Sequence, residues 1–469
     1  MSREKIYDVL IVGAGPVGLA SAIALRQRGI NNILVIDQAR SFRRVGQVVD
    51  ILPNGLKALK YIDENAYQQV MLAGREFVLT RRQNSGGKSQ EKVKRFWYQK
   101  NLQGEIVRST LLDFDYWCDR YGEGRISIPW HRLQTELRNS LPKEIVKANH
   151  RCVSITQSAN SVIVNCISNE IASNPFAHWE NKALIEAKNT DLEGFCERQI
   201  KAKLVIAADG INSTVRQLIY SNSDLSQWAK PQYSGFSAIG CMQINNLSDE
   251  IVQQLEDKYF QGDMVVTLRN DALCSTQPTE SPRLILIRSK NSLGYLFHFS
   301  LSLNLIQNKS PEAIIDLAAD ILIKADFPDI FVRVVKLSDR TKLIHRPYYI
   351  HPADIPHTGT IWSDKRIVLV GDAAHGMPPF AAQGVNQGLE DAAVIGTAIA
   401  NIGDRHALDD LAIIQQQFSK YEQLRRPTVA KVQEATMYNH NWSQEKWENY
   451  GDEIYSRDVE NLSRNLAID

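Results

Sequence analysis

The residues of this chain best spaced for chemistry are glycines followed at a fixed distance by an acid. Near the start, the apolar run Ile6–Val12 leads straight into Gly13-Ala-Gly15-Pro16-Val17-Gly18. Residues 16–28 then read as a helix with small or apolar Val17, Leu19, Ala20, Ile23 and Ala24, and Gly29 as its stop. A second apolar run over 32–36 ends in Asp37 and Gln38, the acid nineteen residues after Gly18. Strand, glycine turn, helix and strand-end acid in that order form a dinucleotide-binding fingerprint in its required setting. Gly13 permits the tight turn, Gly15 lets backbone approach a pyrophosphate, and Gly18 lets helix and strand pack. Pro16 falls in the first helical turn, where its missing N–H costs nothing. Asp37 can accept from both hydroxyls of an adenosine ribose. A 2′-phosphate would place a second negative charge against it, so FAD or NAD suits this site better than NADP.

A second such place lies near residue 370, in Arg366-Ile-Val-Leu-Val-Gly371-Asp372-Ala-Ala-His375-Gly-Met-Pro-Pro379-Phe-Ala-Ala-Gln383-Gly384-Val385-Asn386. The run 366–370 suits one buried strand, Gly371-Asp372 ends it, and after Pro378-Pro379 a helix is expected over 385–400. A strand end, an acid and a helix N-terminus therefore meet. The acid can bond sugar-like hydroxyls, and the free N–H groups of the helix can hold an electron-rich ring oxygen or an anion. Between the two places, Leu204-Val-Ile-Ala-Ala-Asp209-Gly210-Ile-Asn-Ser213-Thr-Val-Arg216 repeats the theme of strand, acidic turn and helix.

These three segments, in this order, resemble the flavin motifs of the single-component FAD-dependent aromatic hydroxylases, the family of p-hydroxybenzoate and salicylate hydroxylases. Its second flavin segment runs Gly-Asp-Ala-Ala-His, Pro, then Gly-x-Gly-x-Asn. Ala382 stands where the first Gly of that last triplet is usual, so a slightly different turn is expected there. The resemblance implies FAD contacts from Gly13, Gly15, Pro16, Val17, Gly18, Asp37, Gln38, Gly371, Asp372, Pro379, Gly384, Val385 and Asn386. It implies a role for Asp209 toward both FAD and the nicotinamide cofactor, partly through the helix it anchors. An adenine-side Arg points to Arg44, which reads equally well as part of a solvated basic loop. The family's Arg or Gln three residues before the first Leu of the helix 132–140 is here Trp130, leaving His131 or Arg132 to replace it.

Composition is that of an ordinary globular protein: 469 residues, 43% hydrophobic, 23% charged, net charge +1. That balance offers no electrostatic case for nucleic acid or an anionic membrane, and no apolar run approaches the roughly 20 residues that span a bilayer. With a buried strand beginning at residue 6 and no signal peptide before it, a cytoplasmic protein is expected. The six cysteines include no CxxC or CxxxxC pair, so neither zinc nor a redox dithiol is expected. His345, His351 and His357, six apart, suit loop positions better than a metal chelate.

The expected fold is α/β: a Rossmann-like FAD-binding domain with an inserted antiparallel-sheet substrate domain and C-terminal helices. The nucleotide-binding parts are 1–74, 111–225 and 346–400, the substrate parts 75–110 and 226–345, and the helical tail 401–469. Residues 75–80 read as a strand, 95–98 with 106–108 as a hairpin, 126–129 as the return, and 152–167 with 183–206 as alternating strands. A helix is expected over 311–324 and a long one over 408–433. The second GxGxxG and the CxxxxC of disulfide reductases are absent, which leaves a flavin reduced by transient contact with NADH or NADPH. The resemblance implies that dioxygen then forms a flavin C4a-hydroperoxide, which hydroxylates an aromatic or phenolic small molecule. No catalytic residue follows from the sequence, since Tyr233, His298 and Tyr348 read more readily as packed sheet residues. A reductase, dehydrogenase or epoxidase acting on an apolar isoprenoid-like substrate is the alternative. A non-catalytic escort protein is disfavoured by the intact glycines and acids, and a halogenase by the missing Trp-x-Trp-x-Ile-Pro. A monomer or homodimer is expected.

Overall fold

The computed structural model describes residues 5–39, 47–84, 96–169, 195–245, 247–276, 281–288, 292–403, 405–439, 442–464 and 466. Two sheets carry the architecture. In the first, the spatial order is Ser363–Asp364, Ile367–Leu369, Phe195–Ala207, Ile6–Val12, Ile33–Ile36 and Val146–Lys147. Its central pairs are parallel, with Val9 opposite both Ile33 and Leu204, and Val205 opposite Ile367. Strands buried on both faces must be apolar throughout, as Val9–Val12 and Ile33–Ile36 are. His150–Gln157 and Val162–Asn169 extend the long strand Phe195–Ala207 as an antiparallel hairpin.

Helices cover this sheet. Pro16–Gln27 packs closely on Gly384–Ala400, close enough that a Cβ on Gly396 would lie 2.7 Å from Ala24 Cβ. The second helix is buried on almost every side, because the long helix Leu411–Tyr438 lies across it. Arg425 of the long helix reaches into that contact. It gives Nε to Asp391 Oδ1 at 2.8 Å, pairs with Glu390, and donates to the Gln387 side chain at 2.6 Å. Asp391 also accepts from the Gly371 N–H at 2.8 Å and lies 2.5 Å from His375 Nε2, so a wholly buried charge network joins both helices to the end of the strand Ile367–Leu369. Burial alone would raise the Asp391 pKa, but His375 and Arg425 outweigh it and hold it low.

The second sheet runs Leu343–Ile350, Gln232–Ile244, Leu293–Ser300, Arg283–Arg288, Val265–Leu268, Phe96–Lys100, Ile106–Leu111. The hairpin expected near residues 95–108 is present and supplies its far edge. One pairing, Val266 with Tyr98, is parallel where an antiparallel sheet was expected. One face packs Ile239, Leu284, Phe297 and Phe299 against the helices Pro311–Lys324 and Asp329–Lys336. The other turns toward the nucleotide-binding side.

Residues 75–80 are helical, not a strand: they continue the helix Glu64–Asn84. Phe77, Val78 and Thr80 carry strand propensity, but neighbouring contacts override it. Gly74 lets the helix lie on Ile126, where a Cβ would come within 2.8 Å, and the Arg75 guanidinium sits over the Phe114 ring. Of the strand expected over 183–206, residues 183–194 lie outside the described residues.

Arg425→Met should leave Asp391 and Glu390 short of their buried counter-charge and cost about 3 kcal/mol or more. Urea unfolding should show a lower midpoint with an unchanged slope.

Candidate flavin and substrate site

The first glycine turn is formed as its spacing requires. Gly13 has φ +109°, and a Cβ there would meet the Ala208 carbonyl oxygen at 2.3 Å. At Gly18 a Cβ would lie 2.0 Å from the Gly13 oxygen. Gly15 is different: its φ is −68°, and nothing lies within 4 Å of where a Cβ would go. The helix it opens, with Pro16 at its start, has no side-chain cap. That combination leaves open space before free N–H groups, the setting a pyrophosphate needs.

Asp37 reaches back over the turn, its Oδ2 accepting from Ala14 N–H and its Oδ1 from Ala39 N–H, each at 2.7 Å. A carboxylate has about four lone-pair positions, so roughly half its accepting capacity remains for a ribose. Desolvation raises its pKa against those two hydrogen bonds. Gln38 beside it is exposed. Arg44 lies outside the described residues.

The second segment meets the first through Val17. A Cβ on Gly371 would lie 3.1 Å from Val17 Cγ2, and one on Gly388 only 2.3 Å from it. Asp372 is exposed yet surrounded by protein atoms, and desolvation raises its pKa. A Cβ on Gly384 would be 3.8 Å from its Oδ1, so strand-end acid and helix N-terminus do converge. Gln383, at the cap of that helix, gives it no side-chain hydrogen bond. Its side chain is buried among Asn54 and Gln387 instead. The N–H groups of Gly384, Val385 and Asn386 are thus left for a ligand. The Asn386 side chain is committed to the scaffold: it accepts from Leu52 N–H at 2.9 Å and donates to the Asp50 and Ala382 carbonyls. Pro379 is exposed at the start of the single turn Pro379–Ala381. Ala382 follows with φ +52°, so the chain keeps the left-handed turn there without a glycine.

The third segment is tied to both. The Asp209 carboxylate accepts from Ser213 Oγ at 2.5 Å and from the N–H groups of Thr214 and Val215, anchoring the helix Thr214–Tyr220. Arg216 of that helix donates to the carbonyls of Ala373 and Ala374 at 3.0 and 2.9 Å. Arg132 faces outward, paired with Glu136 at 2.6 Å and Glu76 at 3.5 Å. Its neighbour Gln134, which the sequence did not single out, is buried and donates to the Ala14 carbonyl at 2.7 Å.

Phe380, within the loop between Pro379 and Gly384, projects into the second sheet. Its ring centroid lies 4.8 Å from His298, 5.4 Å from Tyr348 and 5.5 Å from Phe236. A small recess with a cavity volume of about 20 Å³ is lined here by Phe236, Ser281, Arg283, His298, Phe380 and Asn439. Tyr233 stands apart, its hydroxyl bonded to the Leu301 carbonyl at 2.7 Å. His351, one of the three evenly spaced histidines, holds the Ile211 carbonyl at 2.8 Å.

A Rossmann-type sheet, two helix N-termini without side-chain caps and two strand-end acids make a fold of the FAD-binding, flavin hydroxylase type. Comparison with known proteins agrees. A family model described as an FAD binding domain matches residues 6–47 and 357–436, the first and second glycine segments. An FAD-dependent monooxygenase of Gibberella moniliformis is 24% identical over 92% of this chain and 85% of its own length. The 6-hydroxynicotinate 3-monooxygenase of Pseudomonas fluorescens is 24% identical over 91% of this chain and 89% of its own. Among solved structures, a salicylate hydroxylase in substrate complex superposes with TM-score 0.64 at 17% identity, over 99% of this chain and 98% of that one. Klebsiella pneumoniae HpxO with FAD and uric acid does so with TM-score 0.60 at 16%, over 98% and 96%. The chain resembles the single-component FAD-dependent aromatic hydroxylases and is an FAD-dependent monooxygenase. No described helix is long and apolar enough to cross a membrane.

Two substitutions separate cofactor site from scaffold. Gly15→Val should fold with near-normal stability, because its Cβ meets no protein atom, yet purify without flavin. The visible absorbance of the purified protein reads this out. Ala382→Gly should relieve the left-handed Ala and raise unfolding free energy by about 0.5–1 kcal/mol, measured in urea.

Proposed function

We propose that the chain is an NADH- or NADPH-consuming hydroxylase of an aromatic or phenolic small molecule, with FAD between the glycine turns and the substrate under the second sheet. The observation that carries this reading is Phe380. It belongs to the flavin segment by sequence and to the substrate-side aromatic cluster by contact, so a ring lying beside it would be next to the flavin.

In this reading the backbone at Gly13, Gly15 and Gly18, with Pro16 and Val17, receives the pyrophosphate, and Asp37 with Gln38 the adenosine ribose. Asp372 accepts from the ribityl chain, and the N–H groups of Gly384, Val385 and Asn386 face the pyrimidine edge of the ring. Their helix places its positive end there, which favours the anionic reduced flavin. Gly371 and Pro379 shape the backbone around that ring, and Asp209 acts by holding the Thr214–Tyr220 helix against Ala373 and Ala374. FAD held there would supply the redox chemistry, with NADH or NADPH as reductant and dioxygen as oxidant, one oxygen atom going to the substrate and the other leaving as water. The protein binds, orients and excludes water. Arg132, engaged with two glutamates, is a weaker candidate for a flavin contact than Gln134.

Asp372→Ala should lower flavin occupancy on purification while leaving the fold intact, since the Asp372 side chain makes no hydrogen bond or ion pair among the described residues. Full occupancy in the mutant would remove Asp372 from the site. The function itself is tested by following NADH and NADPH oxidation and dissolved oxygen against phenols, benzoates and apolar alkenes. Stimulation by an aromatic, with an oxygenated product, is expected. Stimulation by an alkene alone would favour the epoxidase reading, and a yellow protein stimulated by none would count against hydroxylation.

A further inference from the structure

Around the second glycine segment, four buried side chains each keep one polar atom with no hydrogen-bond partner among the described residues. These are Arg216 Nη2, His351 Nδ1, Trp362 Nε1 and His375 Nδ1. None of the four residues is more than 1% exposed. They come from four parts of the chain. Arg216 lies on the helix Thr214–Tyr220, and His351 follows the strand Leu343–Ile350 of the second sheet. Trp362 precedes the strand Ser363–Asp364, and His375 closes the turn Asp372–His375.

The fold draws them together. The Trp362 and His375 ring centroids lie 5.2 Å apart. Gln433 Nε2 donates to the carbonyls of both His351 and His375, at 2.8 and 3.1 Å, and the His351 N–H donates to the Gly376 carbonyl at 2.9 Å. Arg216 Nη1 reaches the Ala374 carbonyl, next to His375 in the chain. Its guanidinium covers the Tyr220 ring, whose hydroxyl donates to the Ile361 carbonyl beside Trp362. Desolvation, then the Arg216 charge, push the His351 pKa down to about 3, so this ring is neutral and sits in the field of that guanidinium.

The positions of the protons decide what could lie between these groups. His351 Nε2 is 2.8 Å from the Ile211 carbonyl, which can only accept, so Nε2 carries the proton and Nδ1 presents a lone pair. His375 Nε2 is 2.5 Å from Asp391 Oδ2, so a proton faces that carboxylate and Nδ1 is the spare nitrogen. Trp362 Nε1 and Arg216 Nη2 can only donate. Left unpaired in a dry interior, such groups are costly. An anion would suit Arg216 and Trp362 but would meet the lone pair of His351. A metal cation would suit His351 but would meet two fixed donors and the Arg216 charge. An apolar guest would pair with none of them. Water both accepts and donates twice.

We propose that these four atoms hold one enclosed water molecule, which accepts from Arg216 and Trp362 and donates to His351, with His375 Nδ1 as its fourth neighbour. The water then bonds the helix anchored by Asp209, the second glycine segment and the end of the second sheet's edge strand at a single point, as a built-in part of the scaffold.

The test is a crystal structure of the FAD-loaded enzyme grown with sodium bromide as its only halide salt, with data collected at the bromine edge. One peak of the height of an ordered water is expected within about 3.2 Å of at least three of the four atoms, with no anomalous signal. A bromide signal there would make the site an anion site and overturn the proposal. So would the lack of any peak, with the four nitrogens bonded directly to one another. In His351→Leu the acceptor is gone, and the peak should fall below about half its wild-type height relative to neighbouring ordered atoms. An unchanged peak in that variant would overturn the set of partners assigned here.

Discussion

Asp391 accepts from three directions in a place water does not reach: the Gly371 N–H, the His375 imidazole and the Arg425 guanidinium. Each donor comes from a different part of the chain. Gly371 follows the strand Ile367–Leu369 and precedes Asp372; His375 closes the short helical turn after it; Arg425 belongs to the long C-terminal helix. Removing any one leaves charge or an N–H group unpaired in a low-dielectric interior, which is why the arrangement has little freedom to slide. The strand end, the acid and the N-terminus of Gly384–Ala400 are held in one geometry as a result.

The three glycine-and-acid segments then interlock by contact rather than by shared function alone. Val17 fills the space left by Gly371 and Gly388, Gly13 allows Ala208 to approach, and Arg216 bonds the carbonyls of Ala373 and Ala374. Acids that look alike in sequence have different work. Asp37 divides its oxygens between two backbone N–H groups and the cleft. Asp209 spends both oxygens on its own helix. Asp372 is left open to the cleft.

The same loop that opens the flavin helix also reaches the second sheet. Phe380 meets rings on three strands of that sheet, so this loop packs the end of the first sheet's helix against the second sheet. Opposite it the sheet divides its labour. One face is an aliphatic and aromatic core against two helices, and the other sets Arg283, His298 and Ser281 around a small recess.

Much of this was legible in the sequence because it rests on local rules. Glycine spacing, a strand-end acid and helix-starting signals act over a few residues, so the parallel sheet, the flavin segments and the helices near 311–324 and 384–400 follow from the order of residues alone. Residues 75–80 went the other way, because their strand propensity is weaker than the packing of Gly74 on the return strand and of Arg75 on Phe114 before it. Ala382 likewise takes a left-handed turn that its type disfavours, held there by the Asn386 side chain. The tertiary structure alone decided which polar groups are buried together. His351, Trp362, Gln134 and Phe380 are ordinary letters in sequence, and only the packing of distant segments and the closing of one loop brings each to its neighbours, where burial gives an unpaired ring nitrogen or a single ring its meaning.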